Sequence, residues 1–170
     1  AAAEPFIKAC AKPKRSDPVT RGIFDVLDVA GYNYGDVSYA KHHEWHPERV
    51  MVGTETKPIG MKKRMQTILD MPSVIGDFLW TGWDYLGECG LGVIDYGKRE
   101  SMFGKPYPCI TAGCGLYDIT GLRQTLAYDV AMAWKRYDKP YIAVSPLQHA
   151  GQKMYKSMYR TTDGIDSWTF

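Results

Sequence analysis

Two stretches decide the fold: Arg49-Val50-Met51-Val52-Gly53-Thr54-Glu55, and Val74-Ile75-Gly76-Asp77-Phe78-Leu79-Trp80-Thr81-Gly82-Trp83-Asp84-Tyr85. Each opens as a short, mostly apolar run and ends in side chains able to do chemistry. The first ends in a lone carboxylate, the second in paired indoles. A strand apolar on both faces belongs inside a parallel sheet, because crossover helices cover both sides of such a sheet. Function in parallel sheets gathers at the carboxyl ends of the strands. A carboxylate facing aromatic platforms at that edge points to carbohydrate chemistry.

The segments around these two stretches alternate in the same sense. Met61, Met65, Ile68 and Leu69 fall at i, i+4, i+7 and i+8, the apolar stripe of a helix closed before Pro72. Leu122, Leu126, Val130 and Ala133 repeat the stripe. Upstream, residues 1–11 read as a helix with Phe6, Ile7 and Cys10 on one side. Residues 19–24 read as a strand after the turn signal Ser16-Asp17-Pro18, and residues 26–34 as another, ending in Asn33-Tyr34. Ser38 is placed to cap a helix that runs to Pro47. Strand and helix in alternation predict an α/β fold with a parallel sheet.

Residues 82–114 hold five glycines between Gly87 and Gly104 and little periodicity, which predicts a long loop bordering the functional edge. From Pro140 the pattern changes. Tyr141-Ile142-Ala143-Val144, residues 154–160 and residues 165–170 read as strands without intervening helices. The expected organisation is therefore an α/β part over residues 1–139 and an exit segment over 140–170 that begins a β-domain.

Composition narrows the function. The 170 residues suffice for one domain with a core, and the net charge of +2 comes from interleaved acids and bases, leaving no electrostatic footprint for nucleic acid. The basic cluster Lys62-Lys63-Arg64 reads as the solvated face of a helix. No apolar run approaches the roughly 20 residues needed to span a bilayer. Residue 1 is Ala, with no signal-peptide pattern after it, so the chain is expected to be processed or cut from something longer. Twelve Tyr and five Trp are many for this length, and suit either a bulky core or a sugar-binding groove. Cys10, Cys89, Cys109 and Cys114 form no C-x-x-C pair, which excludes zinc-ribbon and thioredoxin readings; a local Cys109–Cys114 pairing stays open.

Glu55 is the leading candidate for chemistry, since burying a carboxylate costs several kcal/mol unless it is paired or hydrogen-bonded. The neighbouring strand delivers Asn33 and Tyr34 to the same edge, and the following one delivers Trp80 and Trp83. A phenol bonded to a carboxylate keeps it ionised and aimed, as a nucleophile requires. His42-His43-Glu44-Trp45-His46 departs from the zinc-protease pattern and reads as a surface or interface helix. Gly90-Leu91-Gly92 and Gly113-Cys114-Gly115 are not dinucleotide fingerprints, and no Walker-type loop or nucleophile elbow occurs. No metal and no cofactor are expected.

Gly31-Tyr32-Asn33-Tyr34, then Pro47-Glu48-Arg49-Val50 leading into Gly53-Thr54-Glu55-Thr56, then residues 74–88 closely resemble the catalytic domain of glycoside hydrolase family 2, the β-galactosidase family. Cys114-Gly115-Leu116-Tyr117-Asp118-Ile119-Thr120-Gly121 resembles the turn entering that barrel's last helix, and Asp166-Ser167-Trp168-Thr169-Phe170 the entry to the immunoglobulin-like β-sandwich that follows. The resemblance runs over nearly the whole chain.

It implies the C-terminal half, strands five to eight, of a (β/α)₈ TIM barrel acting by retention on terminal β-galactosides. Glu55 matches the nucleophile ending the seventh strand, Tyr34 the tyrosine bonded to it, and Trp80 the indole on the eighth strand that contacts the sugar. Asn33 and Trp83 lie in the matching motifs as substrate-binding candidates. The family's acid/base Glu follows an Asn, and no Asn-Glu pair occurs here. Its Asp-Pro-Thr-Arg-Pro-Val-Thr segment is also shortened at Asp17-Pro18-Val19-Thr20. The alternative is a catalytically incomplete fragment that only binds sugar or a complementary half-barrel. β-Glucuronide and β-mannoside are the alternative substrates. The expected partners are a carbohydrate substrate and either a missing N-terminal half or further copies in a homo-oligomer. The address stays open, with a secreted or periplasmic setting implied by the resemblance alone.

Overall fold

The structure, a computed structural model, describes Ala9, residues 12–101 and residues 104–167. The expected helix over residues 1–11 falls outside the described residues except for Ala9. The chain divides into two compact units, one comprising Ala1–Thr56 with Lys63–Leu79 and the other Lys57–Lys62 with Trp80–Phe170.

The first unit is built on a parallel sheet of β1 (Ala30–Asn33), β2 (Met51–Thr56) and β3 (Val74–Leu79), in spatial order β1-β2-β3. The apolar run ending in Glu55 is thus the central strand. Helix α1 (Pro13–Phe24) precedes β1, and α2 (Tyr39–Trp45), entered through a 3₁₀ turn Asp36–Ser38, joins β1 to β2. Helix α3 (Met61–Asp70) joins β2 to β3. Met61, Met65 and Ile68 are buried as the stripe predicts, whereas Leu69 is exposed. Ser38 occupies the N-cap position of α2 but with helical backbone angles and without a side-chain cap bond.

Residues 19–24 are helix, not strand, so three parallel strands stand where four were expected. Pro13 enters the first turn with its φ already helical. Asp17 then pairs with Arg21 one turn on, and Thr20 Oγ1 donates to the Ser16 carbonyl at 3.0 Å. Pro18 forfeits one intrahelical bond without ending the helix. Val19 and Ile23, read as strand formers, face solvent at 79% and 64% exposure. Tertiary contacts of Asp17 override local propensity here. The next strand is shorter than residues 26–34 for a related reason. Val26 and Leu27 continue the chain off α1 as a turn, their N–H groups donating to Ile23 and Phe24 carbonyls.

The second unit has little regular structure: β4 (Asp95–Tyr96) pairs antiparallel with β5 (Met154–Tyr155), and α4 spans Thr125–Ala133. Leu126, Ala127 and Val130 form the buried side of α4, while Leu122 lies before it and is exposed. Residues 82–114, expected as a loop, are folded around a core of Leu91, Ala112, Cys114 and Tyr159 with Trp80, Tyr85 and Met158 packed on it. Gly115 is required there, because a Cβ would meet the Tyr117 carbonyl at 2.3 Å and the Asp84 nitrogen at 2.5 Å. Of the strands expected after Pro140, the described residues keep β5 and a single bridge, Val144 to Ile165. Cys109 and Cys114 do not pair; both are free thiols.

Candidate functional site: a strand-end cluster at Glu55

The cluster begins with strand register. β1 and β2 pair Ala30 with Met51, Gly31 with Val52 and Tyr32 with Gly53, after which Asn33 pairs with Glu55. Thr54 is the extra residue of a β-bulge, a device that re-aims the side chains following it. Tyr32 and Gly53 face the helices: the Tyr32 ring packs edge-on against Tyr39 and His42, and a Cβ on Gly53 would lie 2.9 Å from Tyr39 Oη. Asn33, next in β1, therefore faces the opposite side. Glu55, its partner across the bulge, faces there too. Thr56 confirms the turn, since its hydroxyl returns to the helix side and donates at 2.8 Å to both carboxylate oxygens of Asp77.

Tyr34 extends the cluster. Its N–H donates to the Glu55 carbonyl at 2.7 Å, from a backbone at φ 51°. That left-handed conformation costs a non-glycine residue about 1–2 kcal/mol. Glu55 and Tyr34 are half-buried and Asn33 is exposed. The structure thus brings Asn33, Tyr34 and Glu55 together on adjoining strand ends.

Trp80 follows Leu79, the last residue of β3, and belongs to the second unit with Trp83. Its ring meets Tyr85 edge-on with centroids 5.5 Å apart, and the Tyr85 hydroxyl donates to the Glu88 carboxylate. Burial, then the bond to Glu88, pushes the Tyr85 phenol up, so it stays protonated. Trp83 stacks on Tyr117 at 5.8 Å with planes 16° apart and leaves 57% of itself exposed. Asp84 anchors this pair. It is buried, accepts the N–H groups of Gly113 and Cys114 at 3.1 and 3.2 Å, and donates its own N–H to the Tyr117 carbonyl.

Sequence reasoning passed over the support beneath Glu55. The Asp77 side chain is fully buried, with Arg64 Nε 3.7 Å away and Arg64 also 3.3 Å from Asp36. Burial pushes the Asp77 carboxyl up, and the Thr56 hydrogen bond and Arg64 pull it back part of the way. The neighbouring Tyr39 hydroxyl is buried with no partner, and burial together with the Asp77 charge drives it up as well. A carboxylate in the middle of the apolar run 74–79 was the available signal.

One other expectation is corrected and one is met only in part. Arg64 is not part of a solvated basic face; it is nearly buried against Asp36 and Asp77, while Lys62 and Lys63 are exposed. The histidine helix, expected as a surface or interface helix, does expose Ala40, Lys41, Glu44 and Trp45, but its other face is turned inward. His42 is 1% exposed and its Nδ1 lies 2.8 Å from the Tyr32 hydroxyl. His46 Nε2 lies 2.6 Å from buried Asp17. Both rings are committed to a polar network beneath the sheet that also holds Arg49, itself 2.9 Å from Asp25.

Among solved structures, the chain is similar to a glycosyl hydrolase family 2 member from Bacteroides cellulosilyticus, with 26% identity, a TM-score of 0.67 and 92% of this chain covered. It is also similar to a family 2 member from Bacteroides cellulosilyticus DSM 14838, with 26% identity, a TM-score of 0.64 and 89% covered. The resemblance to glycoside hydrolase family 2 therefore holds in structure as well as in motif. The chain spans about a fifth of those structures' length, 20% and 17% respectively. No family model and no curated protein matches the sequence. No helix among the described residues is long and apolar enough to cross a membrane.

Proposed function

We propose that the chain is the nucleophile-bearing part of a retaining glycoside hydrolase acting on terminal β-galactosides. The observation that carries the reading is the Asn33–Glu55 pairing across the Thr54 bulge, with the Tyr34 N–H on the Glu55 carbonyl. It sets a carboxylate at the carboxyl end of a central parallel strand, facing away from the helices. In this reading Glu55 attacks the anomeric carbon, the leaving group departs with a proton from a second carboxyl group, and water releases the covalent glycosyl-enzyme. Retaining pairs stand about 5–5.5 Å apart, so the acid must reach the same strand ends.

The roles carried by the resemblance follow. Tyr34 orients Glu55, Asn33 binds a sugar hydroxyl, and Trp80 and Trp83 offer apolar faces to the pyranose. The three strands β1, β2 and β3 stand for the sixth to eighth strands of a (β/α)₈ barrel, residues 1–139 for its carboxyl half, and residues 140–170 for the passage into a β-sandwich. The test is Glu55→Gln in the full-length protein. Turnover of an aryl β-galactoside should fall by a factor on the order of 10³ or more with the fold intact. Near-normal turnover rejects the assignment, and a preference for aryl β-glucuronides or β-mannosides moves it to those substrates.

One observation favours a second reading. The only Asn is Asn33, followed by Tyr34, so the family's Asn-Glu acid/base pair is not in this sequence. These residues alone would then bind sugar, or a complementary half-barrel, without turning substrate over. Activity of the isolated 170 residues on an aryl β-galactoside would contradict that reading.

A further inference from the structure

The second unit holds a cavity of about 570 Å³ whose lining includes Tyr96, His149, Gln152, Thr161, Thr162 and Asp163. None of these residues belongs to the glycosidic chemistry proposed above. The Tyr96 and His149 rings stack with centroids 3.6 Å apart and planes 6° from parallel. Asp163 accepts from Tyr96 Oη at 2.9 Å and from Ser145 Oγ at 3.0 Å. Burial and that bond push the Tyr96 phenol up to about 12, so it remains a neutral donor. An ionised carboxylate offers about four acceptor positions, so two neutral donors leave it acceptor capacity. His149 Nδ1 is buried with no partner. With Nδ1 buried, Nε2 is the ring nitrogen left to bond a ligand, as donor or acceptor according to the tautomer.

From these groups we infer that the cavity is a second carbohydrate site, taking a neutral sugar. Its lining has one carboxylate and neither Lys nor Arg, which disfavours phosphate, sulfate and acidic ligands. It also has too many polar groups for an apolar ligand, which would strip them of water without replacing the hydrogen bonds. A polyhydroxylated ring answers both demands. Its hydroxyls donate to Asp163, accept from Gln152 and share a hydrogen bond with His149 Nε2, and its C–H face covers Pro146, Leu147 and Met154. The volume lies in the range of small-ligand sites, about 300–1,000 Å³. This site does not depend on the role of Glu55.

The test is titration of the full-length protein, in a Glu55→Gln background, with galactose, glucose and lactose by calorimetry and saturation-transfer NMR. Asp163→Asn and Gln152→Ala are then compared with their parent; Gln152 is exposed, so its variant folds even if the other does not. The expected result is one class of weak sugar binding reduced about tenfold in either variant, with aryl β-galactoside turnover unchanged when the same substitutions are made with Glu55 intact. Sugar binding that neither variant alters overturns the inference. Turnover lost in both variants would join the cavity to the catalytic centre, and equal saturation by methylammonium would make it a cation site; either also overturns the inference. None of these results bears on whether Glu55 is the nucleophile.

Discussion

Asn33 and Glu55 are cross-strand partners only because Thr54 is left unpaired between them. In unbroken alternation Gly53 faces the helices, Thr54 the other side and Glu55 the helices again. The bulge turns Glu55 away and returns Thr56 to Asp77. One residue of slip thus separates a carboxylate buried under helices from one placed at an open strand end.

The Gly53 position should tolerate no side chain. A Cβ there would sit 2.1 Å from Asp77 Oδ1 and 2.9 Å from Tyr39 Oη, both held in a packed layer. Gly53→Ala is expected to cost about 1–3 kcal/mol, read as a lower urea midpoint, and to reduce turnover by shifting the bulge. An unchanged midpoint would mean that this layer can open freely.

Asp17 should make the first unit sensitive to acid. Burial alone raises its carboxyl, but hydrogen bonds from Arg21 and His46 outweigh that and hold it below its ordinary 3.8. A depressed folded-state value contributes stability above pH 3.8 that is lost as pH falls through the folded value. Asp17→Asn should therefore be less stable than the parent at neutral pH, with the gap narrowing as pH falls below 3.8 and through the lower folded-state value. Urea midpoints across that range decide the matter, and a constant gap would show that the lost contribution is packing and not charge.

How much of this was legible in the sequence depends on where the information lies. The apolar run before Glu55 gave a central strand, and Met61, Met65 and Ile68 gave a helix, because burial repeats at the period of each element. The helix over Pro13–Phe24 was hidden by Val19, Thr20 and Ile23, which look like strand formers and are held helical by what Asp17 touches. The bulge at Thr54 leaves no local mark, since register is a property of two strands. Asp77, Asp84 and His42 likewise acquire their partners only in three dimensions.

Asp84 should hold the Trp83–Tyr117 pair in place. Asp84→Ala leaves the buried N–H of Cys114 and the half-buried N–H of Gly113 without their acceptor, at a cost of about 1–3 kcal/mol. Alongside a lower melting temperature, tryptophan fluorescence should shift to longer wavelength as Trp83 loses its support. A native spectrum in a destabilised variant would place the lost contacts elsewhere.

Trp80→Ala should weaken substrate binding by about tenfold, roughly 1.4 kcal/mol, chiefly as a higher KM for a β-galactoside. A variant with an unchanged KM would remove Trp80 from the sugar's surroundings.

The most direct measurement is to trap the intermediate. Incubating the full-length protein with a fluorinated β-galactoside that carries an activated leaving group, then mapping the adduct by mass spectrometry, should place the sugar on the peptide containing Glu55. An adduct on any other carboxylate, with Glu55 unmodified, would contradict the account.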